Sequence, residues 1–220
     1  MSPVVPVVPD GFMLRRAAEH PRVPWANGGG TTREVIAMSE TEPSGPSDNA
    51  AAPPWRWRLS IADVDSDGPF SVLPGVQRTI ALLHGDGFVL TVGDHEPVRI
   101  DAALRPFRFD GAESTNCELI GGGVVDLNLM ERGDMRTLDL RFEVVSADGC
   151  GEATNVVAVV LVAGAAQVSA GHESAGQAGG GPVVMQQLDA LISSSPGGAA
   201  VSVRSTVPQS VVALVAVATA

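Results

Sequence analysis

Arg58 and Arg78 stand on two separate stretches that read as strands, with the short neutral groups Asn27, Thr32, Ser60 and Asn128 spread over neighbouring stretches. A guanidinium is a planar fork that matches a carboxylate, and each charge-assisted bond contributes about 1.5–3 kcal/mol. Two of them, with neutral hydrogen bonds and stacking on Trp or Phe, reach micromolar affinity, about −8 kcal/mol. The chemistry such a set performs is anion recognition. For Arg58 the competing reading is an ion pair with Asp126 or Asp63. The two are compatible, because Asp126 would then hold Arg58 in place behind the ligand.

The triplet Gly28-Gly29-Gly30 follows Trp25-Ala26-Asn27 and precedes Thr31-Thr32-Arg33-Glu34. Glycine frees this turn to take positive φ and lets its N–H groups approach another group closely. We read Gly28, Gly29 and Gly30 as one wall of the anion site, with Trp25 behind it; the plainer reading is an ordinary turn. Thr32 and Glu34 share a side of the following strand and Arg33 takes the other. Thr32 is placed on the pocket.

Other chemistries fare worse. The histidines, His20, His84, His95 and His172, are scattered. His84 and His95 flank the 88–92 stretch with Asp86, Asp94 and Glu96 near them, and read as exposed turn residues rather than metal ligands. No Gly-x-Ser-x-Gly elbow is present and neither cysteine neighbours a histidine. The glycine triplet is not a P-loop, since no lysine follows, and not a dinucleotide fingerprint, since a strand follows it. No pair of carboxylates is singled out for glycoside cleavage. The expectation is no catalytic residue, no metal and no cofactor.

The whole chain bounds the partners. Its 220 residues suffice for one large or two small domains. All 14 basic side chains are arginine, and the net charge is −11. That balance argues against nucleic acid, which needs clustered cations. Cys117 and Cys150 are too few for a disulfide scaffold or zinc site and read as reduced and buried. The N-terminal run to Pro9 has no basic region and too much proline for a signal peptide, so residues 1–11 read as an extended lead-in. The apolar run Val211 to Ala218 falls short of the roughly 20 residues of a membrane span and reads as a buried strand. The expectation is a soluble, cytoplasmic protein with no membrane partner.

The elements that position these residues are strands. Trp57-Arg58-Leu59-Ser60-Ile61-Ala62 alternates, with Trp55, Trp57, Leu59 and Ile61 on one face and Arg56, Arg58, Ser60 and Ala62 on the other. Val124 to Met130 alternates likewise, Leu127 and Leu129 against Asp126 and Asn128. Such a strand is ordinarily half-exposed; if both faces are covered, its polar groups line a cavity. Further short strands are read at 12–17, 31–38, 78–83, 87–92, 98–101, 106–110 and 118–120, with glycine-rich turns between them. Their even spacing indicates an all-β antiparallel sandwich or barrel. Residues 39–54 break the pattern as a mobile, proline-rich loop. Beyond Arg132-Gly133 come strands at 137–145, 156–163, 201–206 and 210–219, and 183–192 reads as a strand entering a short helical turn. This half carries little chemistry.

Three stretches together resemble the HutD/Ves family of bicupin-like proteins. They are Pro24 to Glu34; Trp57 to Asp63 with Gly68-Pro69-Phe70-Ser71 and Pro74 to Thr79; and Phe107-Arg108-Phe109-Asp110-Gly111 leading to Asp126-Leu127-Asn128-Leu129-Met130. The match is close over the first 135 residues or so. It departs at Ala26, in the insertion at 39–54 and at His84. The resemblance implies two packed antiparallel β-barrel or jelly-roll-like modules of the RmlC-type cupin superfamily. On this chain they are drawn as 12–135, holding the pocket, and 136–220, degenerate. It also implies a regulator of histidine utilisation that binds a pathway acid such as formylglutamate, and the site residues above match that role. Metal-binding cupins use two histidines one residue apart, a carboxylate and a distant third histidine, a spacing absent here. The alternative is a cupin-type enzyme, either a metal-independent isomerase or a weak metalloenzyme using His84 and His95. A third reading makes exposed sheet edges the working surface, for a homodimer or another partner.

Overall fold

The computed structural model describes residues 8–39, 55–133, 137–147, 149–171 and 181–218. Among them the regular structure is strand throughout, apart from one 3₁₀ turn at Ala17–Glu19. Every strand pairing is antiparallel. The all-β, two-module architecture is as the sequence indicates. No helix among the described residues is long and apolar enough to cross a membrane.

The chain divides into two compact units, one spanning His20–Arg136 and the other joining the chain up to Glu19 with the chain from Thr137 onward. The division differs from a break near residue 12. Phe12–Arg15 pairs with Ala190–Ser193, so the first strand belongs with the C-terminal half. Four apolar-leaning residues carry no mark of their partner, which lies far along the chain.

The His20–Arg136 unit has two sheets. The larger runs Arg22–Pro24, Gly30–Met38, Trp57–Val64, Val124–Arg132, Val76–His84, Phe107–Asp110, and the smaller Gly68–Phe70, Thr115–Leu119, Phe88–Val92, Val98–Ile100. Their facing sides share a core of Val64, Ile80, Leu82, Phe88, Leu90, Phe109, Cys117 and Val124. The other face of the larger sheet is also covered: Leu59, Ile61, Leu127 and Leu129 are fully buried. Both faces of Val124–Arg132 are therefore covered, and its polar alternation points to a lined interior rather than to solvent.

The second unit holds one sheet of eight strands around an interior of Val159, Leu161, Val168, Met185, Leu191, Val203, Val212 and Leu214. The C-terminal apolar run is the strand Gln209–Val217, buried as its composition requires. Where a strand into a helical turn was expected, two short strands, Val183–Met185 and Ala190–Ser193, flank a turn. Asp189 holds that turn by accepting the Gln186 N–H at 2.9 Å. Both cysteines are free, and Cys117 is buried, but Cys150 is exposed. It opens a long strand at its unburied end, where alternation alone does not set burial.

Candidate functional site

The six-stranded sheet sorts its inward side chains into rows, because residues opposite one another in antiparallel strands project to the same face. Thr32, Ala62, Asp126 and Leu82 form one row. Glu34, Ser60, Asn128 and Ile80 form the next, and Arg58, Met130, Arg78 and Phe109 the third. A bulge between Glu34 and Ile36 inserts Val35 into its strand, which keeps Thr32 and Glu34 on the inward side.

These rows wall a cavity of about 540 Å³ whose lining includes Trp25, Asn27, Thr32, Arg58, Ser60, Phe70, Arg78, Asp126, Asn128 and Met130. The size suits a small metabolite. Every non-glycine residue named for the site from sequence therefore meets in one hollow. Gly28, Gly29 and Gly30 do not line it. Their polar groups are used inside the hairpin: Gly28 N–H donates to the Trp25 carbonyl at 3.0 Å, and Gly29 N–H to Asn27 Oδ1 at 3.0 Å. The Gly29 carbonyl accepts from Asp65 N–H at 2.9 Å. The glycines instead place Trp25 and Asn27. Gly28 has φ of 73°, and a Cβ on Gly30 would collide with the Asp63 carbonyl and lie 3.2 Å from the Trp25 ring.

Arg78 is the centre of the lining. It is 5% exposed, and its guanidinium lies between the rings of Phe70 and Phe109, 5.0 and 4.9 Å from their centroids. Such stacking supports a cation without using its hydrogen bonds. Nη2 donates to Asn128 Oδ1 at 3.0 Å, while Nε has no partner. Burial, and to a lesser extent the neighbouring Arg58, lower its pKa to about 10 against the pull of Asp126, so it stays charged at neutral pH. Beyond it, Asn128 Nδ2 donates to Asp126 Oδ1. Asp126 is fully buried and its Oδ2 is unpartnered. Burial drives its carboxyl up to about 7, outweighing Arg78 and Asn128, and Asp63 adds to the rise.

Arg58 does not pair with Asp126 or Asp63; its Nε donates to Glu34 Oε2 at 2.8 Å. Asp63 instead accepts from Arg33 at 2.7 Å, and both lie off the inward rows. Trp25 donates Nε1–H to Thr32 Oγ1 at 2.8 Å and meets Phe70 edge to face, at 6.0 Å and 82°. Phe70 and Phe109, the two rings on Arg78, are the residues that sequence reasoning missed. For Phe109 the alternation Phe107-Arg108-Phe109 was the available signal, since it sets the rings of Phe107 and Phe109 on one side.

His84 and His95 are exposed and outside the cavity lining, and His172 lies outside the described residues. Among the described residues, no three His, Cys, Asp or Glu side chains gather as a metal site.

Over 119 residues the chain is 42% identical to an uncharacterised 21.2 kDa protein in the hutC 3′ region of Pseudomonas putida, covering 54% of this chain and 57% of that one. The chain spans about half the length of the curated relatives it matches. Among solved structures, a conserved protein of unknown function from Pseudomonas aeruginosa PAO1 matches with a TM-score of 0.76 and 26% identity, covering 94% of this chain and 99% of that one. HutD from Pseudomonas fluorescens SBW25, solved in a formate condition, matches with 0.66 and 28%, covering 94% and 100%. An oxalate decarboxylase from Lactobacillus farciminis, at 0.64 and 10% identity over 98% of this chain and 87% of that one, shares the fold alone. The HutD family model spans residues 17–210, nearly the whole length, and the chain belongs to the HutD family.

Proposed function

We propose that this protein binds a small carboxylate metabolite in the cavity of the His20–Arg136 unit, without turnover, and that this binding serves regulation of histidine utilisation. A pathway acid such as formylglutamate is the candidate ligand. The observation that carries the reading is Arg78: a buried guanidinium with the rings of Phe70 and Phe109 stacked on it and Nε unpartnered, in the lining of the cavity. Burying a cation is costly unless an anion completes it. Arg58, one strand beyond Met130 in the same row, adds a second fork. Thr32, Ser60, Asn27 and Asn128 orient the ligand, and Trp25 supplies an apolar wall. Membership of the HutD family and the relative in the hutC 3′ region support the pathway.

Thermal-shift and calorimetric titration with N-formyl-L-glutamate, glutarate and formate test the proposal. At a hundredfold excess over its dissociation constant a true ligand stabilises by roughly 2.7 kcal/mol. Arg78→Gln is expected to remove the response while circular dichroism shows the β fold retained. A folded Arg78→Gln protein that responds like the wild type overturns the assignment.

A further inference from the structure

The charges around the cavity balance only when the state of one carboxyl is fixed. Arg58 and Glu34 neutralise each other in an ion pair at 2.8 Å. Of the charged residues lining the cavity, that leaves Arg78 and Asp126. They are bridged rather than paired: the Asn128 amide accepts from Arg78 and donates to Asp126 Oδ1. Two buried atoms, Arg78 Nε and Asp126 Oδ2, are left without partners in the same hollow.

An anion seated against Arg78 satisfies Nε and replaces Asp126 as the counter-charge. An ionised Asp126 would then lose the cation that supports it and face a second negative group at low dielectric. Protonation removes both penalties and makes Oδ2 an O–H donor. We infer that the site takes up its carboxylate together with one proton held on Asp126, and that it favours carboxylates bearing a second oxygen acceptor at the Asp126 end. The inference rests on the carboxylate reading above. Asp126 and Met130, which marks the Arg78 row, are four residues apart on one strand, about 13 Å along it. Arg78 reaches back over part of that span to Asn128, so the two polar ends fall within the length of a small dicarboxylate or acyl amino acid.

The remaining groups near Asp126 do not compete for the proton. Cys117 comes from the facing sheet, and its thiol is pushed up to about 12, chiefly by burial, and stays neutral. Asp67 lies beside that strand, its Oδ1 accepting the Leu119 N–H at 2.7 Å. Asp63 is held by Arg33, and among the described residues no histidine lines the cavity. Asp126 itself, raised to about 7, is the group poised to change state.

Calorimetry of the full chain with N-formyl-L-glutamate, glutarate and butyrate, in buffers of differing ionisation enthalpy, tests this. Near pH 8, uptake approaching one proton per ligand is expected, and near pH 5.5 little. Affinity falls toward tenfold per pH unit above about pH 7. Near pH 5.5, glutarate is expected to bind more tightly than butyrate, which lacks the second acceptor. Asp126→Asn is expected to bind with no proton uptake and no such pH dependence. Binding without proton uptake, or uptake unchanged in Asp126→Asn, overturns the inference and leaves the carboxylate reading standing. Failure of all three acids to bind between about pH 5.5 and 9 overturns both.

Discussion

Asp189 and Asp126 are both buried aspartates, 3% and 0% exposed, one in each unit of the chain, yet their surroundings differ in kind. Asp189 is fully bonded. Its Oδ1 accepts Ala17 N–H at 2.9 Å, and its Oδ2 accepts Arg16 Nη1 at 2.6 Å and Gln186 N–H at 2.9 Å. Among the described residues, the other buried polar side chains of that unit are serines, and Ser205 and Ser210 bond to each other at 2.8 Å within an apolar interior. Asp126 has one bonded oxygen and one orphan, beside an arginine with an orphan of its own. Similar strands thus hold two buried aspartates, one closed by its own partners and one with hydrogen-bonding capacity to spare. Unspent capacity at a buried charge, rather than buried charge itself, separates the two.

Substitutions that treat the two aspartates alike sharpen the contrast. The largest effect is expected from Asp189→Ala, which leaves Arg16 facing a buried gap and strips the turn of its acceptor. Chemical denaturation should show a loss of about 3 kcal/mol, chiefly from the Ala17 and Gln186 N–H groups left without their acceptor, since Arg16 is a third exposed. Gly30→Ala comes next, because its Cβ would collide with the Asp63 carbonyl and press on Trp25. It should cost about 2 kcal/mol in the same measurement and weaken ligand binding by displacing the indole. Arg58→Ala removes a partly exposed guanidinium already paired with Glu34, so titration should show roughly tenfold weaker binding, about 1.4 kcal/mol.

Asp126→Asn should have the opposite sign. Its carboxyl is raised from 3.8 to about 7 on folding, so the folded protein holds more protons than the unfolded chain between those values. Its contribution to stability is therefore greatest below about pH 4 and is lost as the pH rises toward about 7. The variant should overtake the wild type at pH 8 and show no advantage at pH 4. Equal stability curves across that range would show that folding leaves the Asp126 carboxyl unshifted.

Much of this was legible in the residues. Short strands at even spacing gave the all-β class, and the alternations in Trp57–Ala62 and Val124–Met130 placed Arg58, Ser60, Asp126 and Asn128 on common faces. What the alternation could not supply was partnership across strands. Arg58 was expected to meet Asp126 or Asp63, but the bulge at Val35 sets Glu34 opposite Ser60 and within its reach. Bulges leave no reliable mark in composition. The glycine triplet was read as a wall because three missing side chains invite close approach, and what approaches is the protein's own carbonyl and indole. Phe12–Arg15 was assigned to the nearer unit because a short strand does not reveal a partner some 180 residues away.

Trp25, fixed by its bond to Thr32 and its edge contact with Phe70, has a consequence for experiment. The chain has three tryptophans and no tyrosine, so its ultraviolet emission arises from indoles alone. One of those indoles faces the cavity. An occupant that drives water from the ring shifts the emission, giving an unlabelled optical readout of occupancy that Trp25→Phe would silence.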